Sequence, residues 1–300
     1  MKIGFLKEVK DTRVAISPLI VLKYEKIGIE IVVEKGAGQS SGIDDNDFPK
    51  NVTILSKEKV IQSSDIIISV NSESITPISL FKSKIVVSDF SGESNKDELI
   101  QHLKTNKVIA YDLSLIPRTT IAQSMDILSS MAGLSGYKAV IKSAELLPRI
   151  FPMIITAAGS IKPAKVVVLG AGVAGLQAIA TAKRMGAVVF ATDVRITSKE
   201  QVESLGGKFL TVEGSENLET EDGYAKEASE DFKKKQEELL SETLKKIDIV
   251  ICTALIPGKK APVIIKESMI SSMQSGSVIY DLAAVQGGNT VFTEVDKIVD

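Results

Sequence analysis

A single cysteine and a single histidine stand among the 300 residues. Cys252 has nothing to pair with inside the chain, so no disulfide framework is available and a reducing compartment follows. It lies in an apolar run, residues 247–255, that reads as a buried strand. His102 sits in a polar helical stretch, residues 96–104, and reads as a solvated surface residue; the sequence offers no metal-binding set. Excess charge is also missing. Lys and Arg number 36 against 38 Asp and Glu, a net charge of −2, which leaves no basic field and excludes nucleic acid as a partner. Any phosphate must be held locally. No window reaches the roughly 18 apolar residues of a membrane-spanning helix, and the runs 150–158 and 166–174 are too short. The first eight residues lack the apolar core and cleavage site of a secretory signal and read as a first strand, with nothing removed.

What is present is ordinary globular composition, 44% hydrophobic and 25% charged, at a length that suits two domains. β-branched runs at 2–5, 30–33, 65–70, 84–88 and 107–110 read as strands. Residues 18–27 form a helix between the first two, with Ser17 as N-cap and Pro18 at the first helical position. A second series of strands falls at 165–169, 187–193, 247–253 and 277–281. Such alternation predicts parallel sheets with crossover helices. Between the two series, residues 122–147 give a long helical pattern in which Leu128, Met131, Ala132, Leu134 and Ser135 suit burial on one side. The expected fold is α/β: two Rossmann-like parallel-sheet domains, 1–125 and 156–300, joined by a helical region over 126–155, with a nucleotide cleft between them. Residues 213–246 are dense in charge and read either as a solvated loop and helix face or as a mobile flap over a ligand.

The sharpest motif is Gly170, Ala171, Gly172, Val173, Ala174, Gly175, which follows an apolar strand and opens a helix over 173–185. Gly170 allows the tight turn, Gly172 lets backbone approach a pyrophosphate, and Gly175 lets helix and strand pack closely. The helix N-terminus meets the anion with free N–H groups. Asp193, eighteen residues after Gly175 at the end of the next strand, is placed to accept both ribose hydroxyls of an adenosine and to repel a 2′-phosphate. NAD(H) is therefore favoured, while Arg195 keeps NADP(H) open. Between the two series, Gln123, Asp126 and Ser130 fall at helical spacing, which suits either a polar set facing the nicotinamide or the capped, solvated first turn of a helix.

Residues 13–18 (RVAISP), 117–118 (PR) with 122–130 (AQSMDILSS), 170–177 (GAGVAGLQ), 192–195 (TDVR), 223–226 (GYAK) and 253–258 (TALIPG) together resemble the NAD(H)-binding alpha subunits of the proton-translocating NAD(P) transhydrogenases. The resemblance implies a nicotinamide contacted by Arg118, Gln123 and Asp126, the catalytic set, and by Ser129. It implies a pyrophosphate over Ala171, Gly172 and Val173, and an adenosine ribose on Asp193 with Val194 and Arg195 beside it. Gly223, Gln236 and Leu255 would line the rest, with Tyr224 on a loop that closes over nucleotide. It further implies a homodimer, NADP(H) on a partner subunit, a membrane-spanning subunit that carries protons, and a cytoplasmic position on the inner face of the membrane. Two departures stand out. Ile121 occupies the place of a second arginine, and the chain stops at Asp300 where the family continues, so a fragment is expected. Alanine dehydrogenases share the architecture but need a lysine and a histidine in the first domain; here Asn71-Ser72 and Phe90-Ser91 stand instead. A third reading is an NAD(H)-binding module without catalysis.

Overall fold

The computed structural model describes residues 1–300 except 94, 118–120, 212–229 and 256–258, and gives backbone alone at 123 and 230–233. The chain divides into two compact units, Met1–Ile127 and Leu128–Asp300. Among the described residues no helix is long and apolar enough to cross a membrane.

The first unit is built on six strands: β1 (Lys2–Phe5), β2 (Glu30–Glu34), β3 (Thr53–Leu55), β4 (Ile66–Asn71), β5 (Ile85–Asp89) and β6 (Ile109–Asp112). All pair in parallel, in the order β3-β2-β1-β4-β5-β6. Side chains alternate across the sheet, and both faces are covered. Ile3, Phe5, Ile31 and Val33 join one apolar cluster while Leu6, Val32 and Ile67 join another. Burial on both faces is why these strands read as unbroken apolar runs. Helix α1 (Pro18–Glu25) has Ser17 as an extended N-cap and Pro18 in its first turn, as expected, although the Ser17 side chain makes no capping bond. Helix α2 (Lys57–Ser63) crosses so close to β1 that a Cβ on Gly4 would lie 2.5 Å from Ser64 Oγ and 2.7 Å from Val60 Cγ1. Helix α3 (Lys96–Thr105) has His102 on its exposed face.

The second unit opens with α4 (Ile127–Leu146). Its inward face differs from the expected one: Leu134 is 61% exposed, and Gly136, Ala139, Val140 and Ser143 are buried. Close approach decides this, because a Cβ on Gly136 would fall 2.0 Å from the Ala174 carbonyl oxygen. An antiparallel hairpin follows, β7 (Ile154–Thr156) and β8 (Gly159–Ile161). Strands β9 (Lys165–Leu169), β10 (Val188–Thr192), β11 (Lys208–Phe209), β12 (Ile249–Cys252) and β13 (Val278–Asp281) then form a parallel sheet in the order β11-β10-β9-β12-β13. On one face Val166 and Val168 pack with α4 and with α5 (Val173–Arg184) through Ala139, Ala178 and Ile179. On the other, Val167 and Leu169 pack with Leu240 and Leu244 of α7 (Glu230–Leu244) and Met269 of α8 (Glu267–Ser271). Helix α6 (Ser198–Ser204) links β10 to β11. Cys252 is wholly buried, and that burial pushes its thiol well above the ordinary range, so it is inert.

Candidate functional site

In the second unit the strand order reverses between β9 and β12, and the crevice outside the carboxyl ends of such strands is where doubly wound sheets bind ligands. The glycine turn stands there. Gly170 has φ +97°, a left-handed conformation that admits glycine readily, and its N–H donates to the Thr192 carbonyl at 2.9 Å. Gly175 is fixed by space: a Cβ there would meet the Gly170 carbonyl oxygen at 1.9 Å. Gly172 is different. It is the extended N-cap of α5, has φ −75°, and a Cβ on it would meet nothing within 4 Å among the described residues. The protein's own packing does not require glycine at that position, whereas a group approaching the backbone would. Among the described residues no side chain caps α5, and the N–H groups of its first turn are directed out of the helix start.

Asp193 ends the neighbouring strand with its side chain 7% exposed. Its Oδ2 accepts the Ala171 N–H at 2.7 Å and its Oδ1 the Arg195 N–H at 2.8 Å. The Arg195 guanidinium closes on both oxygens, Nε to Oδ1 and Nη2 to Oδ2, each at 2.9 Å. Gly170, Ala171, Gly172, Gly175, Asp193 and Arg195 are thus brought into one locus, with Val173 45% exposed at the helix start and Val194 half-buried. Gln236 lies half-buried on α7, and Leu255 follows β12 at 40% exposure. Asp126 is buried after a single 3-10 turn at Ala122–Met125, and Ser129 lies in the first turn of α4. Arg118, Gly223 and Tyr224, and the Gln123 side chain, lie outside the described residues.

Two contributors were not assigned from sequence. Thr253 Oγ1 lies 2.9 Å from the Gly170 carbonyl and 3.1 Å from that of Leu169, bracing the turn from β12. Asn289, fully buried, accepts the Ala254 N–H and donates to the Ala254 and Pro262 carbonyls, fastening both flanks of the loop that bears Leu255. The Gly287-Gly288 turn before it was the only local signal.

The equivalent edge of the first unit has different chemistry. Buried Glu8 accepts from the Val70 and Asn71 N–H groups and from Ser74 Oγ, and burial holds its carboxyl above the usual range. Arg13 forms a forked pair with Asp11, which draws that carboxyl down to about 2. No lysine or histidine stands at Asn71-Ser72 or Phe90-Ser91.

A glycine turn with an open second glycine, at the reversal point of a parallel sheet, defines the Rossmann class of dinucleotide-binding domain. Family models take this further: Alanine dehydrogenase/PNT, N-terminal domain, matches residues 4–135, and Alanine dehydrogenase/PNT, C-terminal domain, matches 139–300. The chain belongs to that family. It is 48% identical to the first portion of the NAD(P) transhydrogenase alpha subunit of Rhodospirillum rubrum, over the whole of this chain and 81% of that one. The Rickettsia prowazekii protein of the same name is 45% identical, over the whole chain and 80% of the relative. Among solved structures, the transhydrogenase from Sinorhizobium meliloti superposes with a TM-score of 0.88 at 41% identity, covering this chain fully and 83% of that chain. An L-alanine dehydrogenase at 23% identity and TM-score 0.78, over 98% of this chain and 77% of that one, shares the fold.

Proposed function

We propose that this chain is the NAD(H)-binding component of a proton-translocating transhydrogenase. The observation that carries the reading is the open space over Gly172 at the uncapped start of α5, a cradle that a Cβ would fill and that suits a pyrophosphate. Ala171, Gly172 and Val173 hold the pyrophosphate, with Asp193 as acceptor for the adenosine ribose and Val194, Gln236 and Leu255 around it. Arg118, Gln123, Asp126 and Ser129 orient the nicotinamide, and Gly223 and Tyr224 add contacts to the nucleotide. Bound NADH supplies a hydride for NADP held by a partner subunit. Direct transfer needs no general acid or base here, so the work of these residues is to position the nucleotide and exclude water. The chain sits on the cytoplasmic face of the membrane through a membrane-spanning subunit that carries protons. Met153 and Ile155, 57% and 73% exposed beside and on the β7–β8 hairpin, support a homodimer, since an isolated hairpin is marginal and clustered exposed apolar groups mark contact surfaces.

The test is a pair of assays on the purified chain. Alone it should turn over neither alanine with NAD nor pyruvate and ammonia with NADH; with a separately supplied NADP-binding component it should transfer hydride. Measurable alanine oxidation would reassign it to the dehydrogenase branch.

A further inference from the structure

The carboxylate proposed to receive the ribose is already saturated. A carboxylate offers about four acceptor positions on its two oxygens. At Asp193 all are taken, by the N–H groups of Ala171 and Arg195 and by Nε and Nη2 of the Arg195 side chain. The two backbone donors cannot leave without dismantling the turn, because β9 and β10 are paired through Leu169 and Thr192 and Gly170 N–H is bonded to Thr192. The guanidinium hangs on a flexible stem and can.

We infer that Arg195 is a displaceable occupant of the ribose site, and that it sets both the affinity for NADH and the discrimination against NADPH. The inference rests on the assignment of Asp193 as ribose acceptor. Ribose hydroxyls of either nucleotide gain Asp193 only by breaking the fork, so Arg195 weakens both. Once displaced, the guanidinium remains tethered two residues from Asp193, beside the ribose. There it offsets part of the carboxylate's repulsion toward a 2′-phosphate. Removing it should therefore help NADH and leave NADPH facing the bare carboxylate.

The experiment is titration of NADH and NADPH against the wild type, Arg195→Leu, Arg195→Lys and Asp193→Ala, with thermal melts with and without NADH. Arg195→Leu should bind NADH about threefold to tenfold more tightly, equivalent to roughly 0.6–1.4 kcal/mol no longer used in opening the pair. The ratio of NADPH to NADH dissociation constants should rise, the ligand-free melting temperature should fall, and the shift on adding NADH should grow. Arg195→Lys, which keeps the cation without the fork, should tighten NADH while holding the ratio closer to wild type. Asp193→Ala should weaken NADH. If Asp193→Ala weakens NADH but both Arg195 variants bind it no better than wild type, the guanidinium is an ordinary ligand contact and the inference fails while the site stands. If Asp193→Ala leaves NADH binding unchanged, the site assignment itself fails and the inference with it.

Discussion

Gly172 and Gly175 are three residues apart in the same turn, yet replacing each by alanine should give opposite phenotypes. At Gly175 the new methyl would meet the Gly170 carbonyl oxygen at 1.9 Å and its carbon at 2.9 Å, with Thr253 Oγ1 at 3.2 Å. The first contact is roughly 1 Å shorter than such atoms tolerate, and the obstacle is backbone, so α5 must move away from β9. Overpacking of this kind costs about 1–3 kcal/mol, and the bonds that Gly170 makes to Thr192 and Thr253 are strained with it. A loss on the order of 2–4 kcal/mol should lower the melting temperature by roughly 5–15 °C in a unit of this size. Gly172→Ala has open space and a permitted backbone, and the gain of about 0.4–1 kcal/mol from the less flexible unfolded chain is offset by alanine's poorer fit as N-cap, so stability should change little. Its NADH affinity should nevertheless fall by at least about tenfold, because the methyl would occupy the proposed approach of the pyrophosphate. Differential scanning calorimetry and NADH titration on the two variants separate these effects. A Gly172→Ala protein that melts as wild type and also binds NADH as wild type would refute the use of that space.

The chain should bind NADH far more tightly than NADPH if the Asp193 carboxylate receives the ribose as proposed, because it would then repel the extra phosphate; equal dissociation constants would contradict this. Gln123→Ala should reduce the rate of hydride transfer in the coupled assay more than it weakens NADH binding, because misplaced reacting atoms cost rate steeply while the adenosine end still anchors the ligand; equal losses would make Gln123 a general contact. Stability should also depend on pH through the first unit. Glu8 keeps its proton to higher pH in the folded chain than the 4.5 of a free glutamate, so acidification through its folded value stabilises the protein and the gain is complete below 4.5. Asp11 acts oppositely: its pairing with Arg13 is fully stabilising above 3.8 and is lost as pH falls toward 2. Melting curves of wild type and Glu8→Gln across pH 7 to 4 isolate the first effect, and an identical pH slope in both would show that Glu8 does not produce it.

Local pattern was enough for much of this protein. The glycine spacing, the apolar strand before it and the acid closing the next strand lie within 29 consecutive residues, 165–193, and each constrains its own backbone, so the turn, the helix and the place of the acid were legible together. The central strands were legible because burial on both faces makes them apolar throughout. Strands β3 and β11 and the β7–β8 hairpin, two or three residues each, are too short to show a period and were not anticipated. Only tertiary structure decided the rest. It turned Gly136 rather than Leu134 inward, because a backbone 38 residues away comes within contact distance. It brought Asn289 onto Ala254 across 35 residues and Asp193 onto Ala171 across 22. It also laid the Arg195 fork over Asp193, the carboxylate proposed to receive the ribose. A sequence motif specifies which groups are available; whether a carboxylate's acceptor positions are open or already filled depends on donors that only the folded chain brings to it.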